Sequence, residues 1–253
     1  MATRERAQGV VVKTIAIIQA RIGSTRLPGK VMEDLAGEPM LVRTVNRAKR
    51  AQTLDEVVVA TTTNAGDDVI AELCDQNGWP CSRGSEDDVL DRYYNAAVAH
   101  KAEVVVRITS DCPLIEPPIV DQAIELFRNH QFGIDYVSTS IPKRTFPRGL
   151  DTEVIRFDAL KRAWNEDDNP ATREHVTPYI YKNPQWFKLL GIGSETNYSY
   201  MRWTVDTQED LEFVREIYNH FGHDRFSWQE VLEVLRIHPE WMEINRHVKQ
   251  KEI

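Results

Sequence analysis

Three short apolar runs punctuate the first half of the chain without polar alternation. They are Thr14-Ile15-Ala16-Ile17-Ile18-Gln19-Ala20, Glu56-Val57-Val58-Val59-Ala60-Thr61-Thr62 and Glu103-Val104-Val105-Val106-Arg107-Ile108-Thr109. Strands with one wet face alternate; continuous β-branched runs of this length mark strands buried on both faces. Between them lie stretches with helix punctuation. Residues 39–51 open with Pro39 at a first-turn position, and residues 67–77 stop at Gly78. Residues 85–100 begin Ser-Glu-Asp-Asp, a cap with acids in the first turn, and a further helix is expected over 117–130. This alternation predicts an α/β fold of three layers: a mostly parallel, Rossmann-like sheet, helices on both faces, and a site at the carboxyl ends of the strands.

After residue 130 the pattern loosens. Strands are expected at 135–140 and 150–155, on either side of the basic loop Pro142-Lys143-Arg144-Thr145-Phe146-Pro147-Arg148-Gly149. Helices at 157–166 and 172–182, a strand at 186–191, and helices at 208–221 and 227–237 complete the reading. Residues 1–13 read as a loose tail and 14–253 as a single domain. Within it, roughly 135–200 reads as a small lid that binds an acceptor or a second subunit. There is no internal repeat and no low-complexity linker.

Charge narrows the partners. The chain carries 31 Lys and Arg against 39 Asp and Glu, a net −8, which argues against nucleic acid or a membrane surface as partner. No apolar run approaches the roughly 20 residues of a membrane span. The three cysteines, Cys74, Cys81 and Cys112, show no CxxC spacing, so a disulfide scaffold or zinc site is not expected and a reducing cytoplasm is. No catalytic-cysteine context surrounds Cys112.

Against that acidic background, Arg21-Ile22-Gly23-Ser24-Thr25-Arg26-Leu27-Pro28-Gly29-Lys30 holds three cations, two hydroxyls, two glycines and no acid. It leaves the carboxyl end of the first strand. Backbone amides, glycines and Arg forks there suit phosphate oxygens, so a polyphosphate, such as a nucleotide's, is the expected occupant. An exposed basic turn is the alternative. Five residues separate Gly23 from Gly29-Lys30 and Val31 follows, so the loop is not a Walker A motif; no GxGxxG occurs either.

Two carboxylates end other apolar runs. Asp111 follows the third strand, where it either faces the crevice or forms a turn before Cys112-Pro113. Asp206 ends Trp203-Thr204-Val205 ahead of a helix, where capping is the plainer role. Asp210, one turn on, reads as a surface acid. Asp151 and Glu153 share one face of a strand. His220 and His223 have metal-pair spacing without a third ligand and read as surface residues. The tryptophans read as core or lid packing.

The loop Gln19-Ala20-Arg21-Ile22-Gly23-Ser24-Thr25-Arg26-Leu27-Pro28-Gly29-Lys30 resembles the signature of the CMP-sugar synthetases, cytidylyltransferases that act on acidic sugars such as KDO and acylneuraminates. Thr109-Ser110-Asp111-Cys112-Pro113-Leu114, Pro147-Arg148-Gly149-Leu150-Asp151-Thr152-Glu153, Arg173-Glu174-His175-Val176 and the run from Arg202-Trp203-Thr204-Val205-Asp206 to Leu211 resemble the SpsF-like spore coat polysaccharide branch in the same order. The resemblance spans about residues 14–250. It implies a GT-A-like nucleotidyltransferase fold and Mg²⁺-dependent transfer of CMP from CTP to an acidic sugar or phosphonate, with release of pyrophosphate, in surface polysaccharide or glycan synthesis. Arg21, Gly23, Ser24, Arg26 and Lys30 would then hold the triphosphate, and Asp111 and Asp206 the Mg²⁺. Thr61, Ser85 and Asp88 would border the base or ribose. Arg148, Asp151, Glu153, Arg173 and His175 would face an anionic acceptor, and a homodimer is expected. Two other functions stay open: a GT-A-like glycosyltransferase, although the chain has no Asp-x-Asp motif, and a non-catalytic nucleotide-binding partner in polysaccharide assembly.

Overall fold

The structure, a computed structural model, describes residues 12–130 and 133–250. The expected tail over 1–13 lies outside them apart from Val12 and Lys13. Strand and helix alternate through β1 (Thr14–Gln19), α1 (Met40–Ala48), β2 (Glu56–Thr62), α2 (Asp68–Asn77), β3 (Cys81–Gly84), α3 (Val89–Ala99), β4 (Val104–Thr109) and α4 (Pro117–Asn129). There follow β5 (Tyr136–Ser138), β6 (Glu153–Arg156), α5 (Phe157–Glu166), α6 (Pro170–His175), α7 (Pro178–Tyr181) and β7 (Leu189–Gly191). The last helices are α8 (Gln208–Phe221), α9 (Trp228–Ile237) and α10 (Trp241–Asn245).

The strands form one seven-stranded sheet in the order β3-β2-β1-β4-β6-β5-β7. Strands β1 to β4 pair in parallel, β6 runs antiparallel to both its neighbours, and β5 pairs in parallel with β7. Alternate residues of β1 explain the three layers. Ala16 and Ile18 enter a core shared with α1, α4 and α8, whereas Ile15 and Ile17 enter a second core with α3, α5 and α7. All four side chains are fully buried. The strand is apolar at every step because both of its faces are covered.

Some local expectations shift. Strand β3 escapes a hydrophobic reading because Cys81-Ser82-Arg83-Gly84 is a short edge strand, held by backbone pairing to β2. The helix expected over 172–182 is two helices. Val176 between them takes φ 69°, outside the helical region, and Pro178 restarts the chain at a first-turn position. Helix α3 is capped by Asp88, which accepts from the Asp91 amide, rather than by Ser85. The 135–200 region does more than cover the sheet, since it supplies β5, β6 and β7. Among the described residues no helix is long and apolar enough to cross a membrane.

Candidate active site

The loop after β1 is shaped by its own backbone and pinned to the end of β2. The Gly29 amide donates to the Ile22 carbonyl at 3.0 Å, and Gly29 takes φ 75°, a conformation L side chains resist. The Ile22 amide donates to Asp67 Oδ1 at 2.7 Å, and buried Asp67 also accepts from the Thr62 hydroxyl. The loop thereby overhangs a cleft of about 650 Å³ at the carboxyl ends of β1 and β4. Arg21, Gly23, Ser24, Arg26 and Lys30 all line it. The amides of Gly23, Thr25 and Arg26 donate to no atom among the described residues.

Two carboxylates distant in sequence meet at the other wall. The backbone brings them together: the Val205 amide and the Thr204 hydroxyl both donate to the Asp111 carbonyl, at 2.8 and 3.1 Å. Lys30 Nζ lies between the side chains, 3.0 Å from Asp111 Oδ2, 2.9 Å from Asp206 Oδ1 and 2.8 Å from the Val205 carbonyl oxygen. Burial works against the Lys30 charge, but Asp111 and Asp206 more than offset it, and its pKa is raised from 10.5. Burial likewise opposes the Asp206 charge, and Lys30, Arg202 and Arg26 together bring its pKa below 3.8.

Behind Asp206 stands a buried network that sequence reasoning missed. Arg202 donates from Nη2 to Asp206 Oδ2 at 2.7 Å and from Nε to Asp210 Oδ1 at 2.8 Å. Asp210 is fully buried and also accepts from the Asp206 and Thr207 amides and from Asn245. The expectation that Asp210 is a surface acid is therefore wrong. It closes a capping box with Thr207 and turns its second oxygen on the arginine.

The acceptor-side residues divide. Arg148, Asp151, Glu153 and His175 line the cleft. Glu153 is saturated by Arg107, Tyr136 and Thr177, and Asp151 is paired with Arg144. Arg148 makes no ion pair and no side-chain hydrogen bond among the described residues; burial and neighbouring Arg144 hold its pKa below the usual value. Four predicted residues do not line the cleft. Arg173 pairs with Asp88 at 2.7 Å and bonds the carbonyls of Trp164 and Asp167, so these side chains fasten α6 to the start of α3. Ser85 caps the Asp88 amide, and Thr61 is fully buried. Arg107, Arg144 and Glu174 do line it. Arg107 left a signal, a charge inside an apolar run. His220 and His223 are exposed, as expected.

Among the described residues no three His, Cys, Asp or Glu side chains gather into a metal site. Asp111 and Asp206 nevertheless fit Mg²⁺, which takes one or two carboxylates and completes its shell with substrate phosphates and water.

Residues 15–240 match the sequence model of a family described as cytidylyltransferase. The chain belongs to that family. It is 31% identical to the spore coat polysaccharide biosynthesis protein SpsF of Bacillus subtilis, over 88% of this chain and 94% of that one. It is also 31% identical to the 3-deoxy-manno-octulosonate cytidylyltransferase of Koribacter versatilis, over 79% of this chain and 72% of that one. A solved cytidylyltransferase from Leptospira borgpetersenii superposes with a TM-score of 0.88 at 33% identity, covering 95% of this chain and all of the other. Membership of the cytidylyltransferases makes the chain a nucleotidyltransferase, so of the three functions left open on sequence, nucleotidyl transfer holds.

Proposed function

We propose that this protein transfers CMP from CTP to an anionic, sugar-like acceptor, with release of pyrophosphate, in the synthesis of a surface polysaccharide. The observation that carries this reading is the facing pair of walls in one cleft: a cationic loop with free amides opposite two carboxylates, Asp111 just after β4 and Asp206 just before α8. The names of the similar SpsF and octulosonate proteins support the polysaccharide setting and the acidic acceptor.

Arg21, Ser24, Arg26 and the free loop amides would take the β- and γ-phosphates. Arg21 leans on Glu86 and Glu174 at 3.8 and 3.6 Å, and Arg26 on Asp206 at 2.9 Å, contacts loose or exposed enough to exchange for phosphate. Asp111 and Asp206 would hold Mg²⁺, which when bound neutralises charge on the triphosphate and on departing pyrophosphate. Arg148, without a carboxylate partner, would take the acceptor's anion and aim its hydroxyl at the α-phosphorus. The new bond joins that oxygen to phosphorus, the bond to the β-phosphate oxygen breaks, and the hydroxyl proton leaves to solvent. No protein nucleophile takes part.

Purified protein with CTP, Mg²⁺ and a panel of acidic sugars and phosphonates should release pyrophosphate. Asp111→Asn should lower release at least about a hundredfold, as loss of a preorganised electrostatic group does, while circular dichroism shows the variant still folded. Normal turnover by Asp111→Asn would sink the assignment.

A further inference from the structure

Lys30 occupies the gap between the two carboxylates, and this has a consequence for the order of binding. All three ammonium protons are used, on Asp111, Asp206 and the Val205 carbonyl. The side chain is 11% exposed. A Mg²⁺ shared by both carboxylates would lie about 2.1 Å from an oxygen of each, within the space that the ammonium fills. The charges already balance there: Lys30, Arg26 and Arg202 face Asp111, Asp206 and Asp210. A bare divalent ion would bring two uncompensated positive charges beside three fixed ones.

We propose that Lys30 is the resident counter-ion of the two-carboxylate site and excludes divalent metal until nucleotide arrives. This rests on the nucleotidyl-transfer reading. The ammonium rides on a flexible four-carbon stem at the end of the phosphate loop. Triphosphate bound to Arg21 and Arg26 offers it anionic oxygens in the same cleft. Lys30 then moves from carboxylate to phosphate, and the metal takes the carboxylates it vacates. Each charge keeps a partner throughout, and the carboxylates are never bare.

The test uses Mn²⁺ and nucleotide-free protein, with binding read by electron paramagnetic resonance. Lys30→Met should bind Mn²⁺ at least tenfold more tightly than wild type. Adding Asp111→Asn to Lys30→Met should abolish the gain. Lys30→Gln serves as a second variant should Met fail to fold, with melting curves as the check. In wild type alone, paramagnetic broadening of the Asp111 and Asp206 amide signals should appear only after CTP is added. Equal Mn²⁺ affinity in wild type and Lys30→Met, a gain that survives Asp111→Asn, or broadening without nucleotide would each overturn the proposal. Pyrophosphate release combined with tight nucleotide-free Mn²⁺ binding would overturn this inference and leave the transfer reading standing. The Lys30→Met gain without any release from CTP would do the reverse.

Discussion

Asp210→Asn removes one charge and almost no volume from the network behind Asp206. Asp210 is fully buried and accepts two bonds from Arg202, at 2.8 and 2.9 Å. It also accepts from the Asp206 and Thr207 amides at 3.0 and 3.1 Å and from Asn245 Nδ2 at 3.0 Å. An asparagine offers one acceptor oxygen in place of two and turns an NH₂ toward donors. Arg202, whose side chain is 8% exposed, would keep Asp206 as its one charged partner among the described residues. Breaking a buried ion pair from one side costs about 3–5 kcal/mol, and the surviving Asp206 contact places this case near 3. For a chain of this size that is a fall in melting temperature of about 6–12 °C. Urea unfolding followed by circular dichroism measures it as a lower midpoint at unchanged slope. A loss under about 1 kcal/mol, as an exposed acid would give, would refute the buried-network reasoning.

Further outcomes follow from other parts of the structure. Gly149 takes φ 105° and a Cβ there would stand 2.6 Å from the Trp203 carbonyl carbon, so Gly149→Ala should cost at least about 3 kcal/mol in urea unfolding. By contrast, a Cβ on Gly23 meets only the flexible Glu86 carboxylate at 3.3 Å, and Gly23→Ala should unfold within about 1 kcal/mol of wild type. The folded-state pKa of Asp206 lies below 3.8, so its stabilisation is present above that pH and lost as pH falls through the depressed value. The stability gap between wild type and Asp206→Asn should thus stay level above about pH 5 and shrink below it, and a gap that widens in acid would contradict the sign. Burial, and after it Asp111, pushes the Cys112 thiol well above its ordinary pKa. Native protein should therefore resist alkylation at Cys112 at mildly alkaline pH, as mass spectrometry would show, and Cys112→Ala should retain turnover.

The parallel half of the sheet was legible because burial on both faces leaves unbroken apolar runs, as in β1, β2 and β4. Strand β3 was not, since an edge strand of Cys81-Ser82-Arg83-Gly84 is specified by its neighbour's backbone and not by its own side chains. The break at Val176 left only the clue of Pro178 two residues later. At the site, the loop cations and the two aspartates that end apolar runs announced themselves by position, although the run before Asp206 forms no strand. The place of Lys30 did not. A lysine in a phosphate loop reads as a phosphate ligand, and only the 2.9 Å and 3.0 Å contacts show it holding the carboxylates. Asp210 was misread for a related reason. A residue one turn into an amphipathic helix looks like a surface acid until Arg202, eight positions earlier, folds back onto it. Arg173 and Asp88 look like ligand-binding groups one at a time and become a tether once paired across 85 positions.

The claim that the cleft takes CTP is tested most directly by ranking nucleotides by their effect on the melting temperature of wild-type protein with Mg²⁺. A ligand at a hundred times its dissociation constant adds about 2.7 kcal/mol, a rise of about 5–11 °C here. CTP should raise the melting temperature by that order and by more than ATP, GTP, UTP or any sugar nucleotide, and Asp206→Asn should reduce the rise. A larger rise with another triphosphate, or with a UDP- or GDP-sugar, would contradict the account.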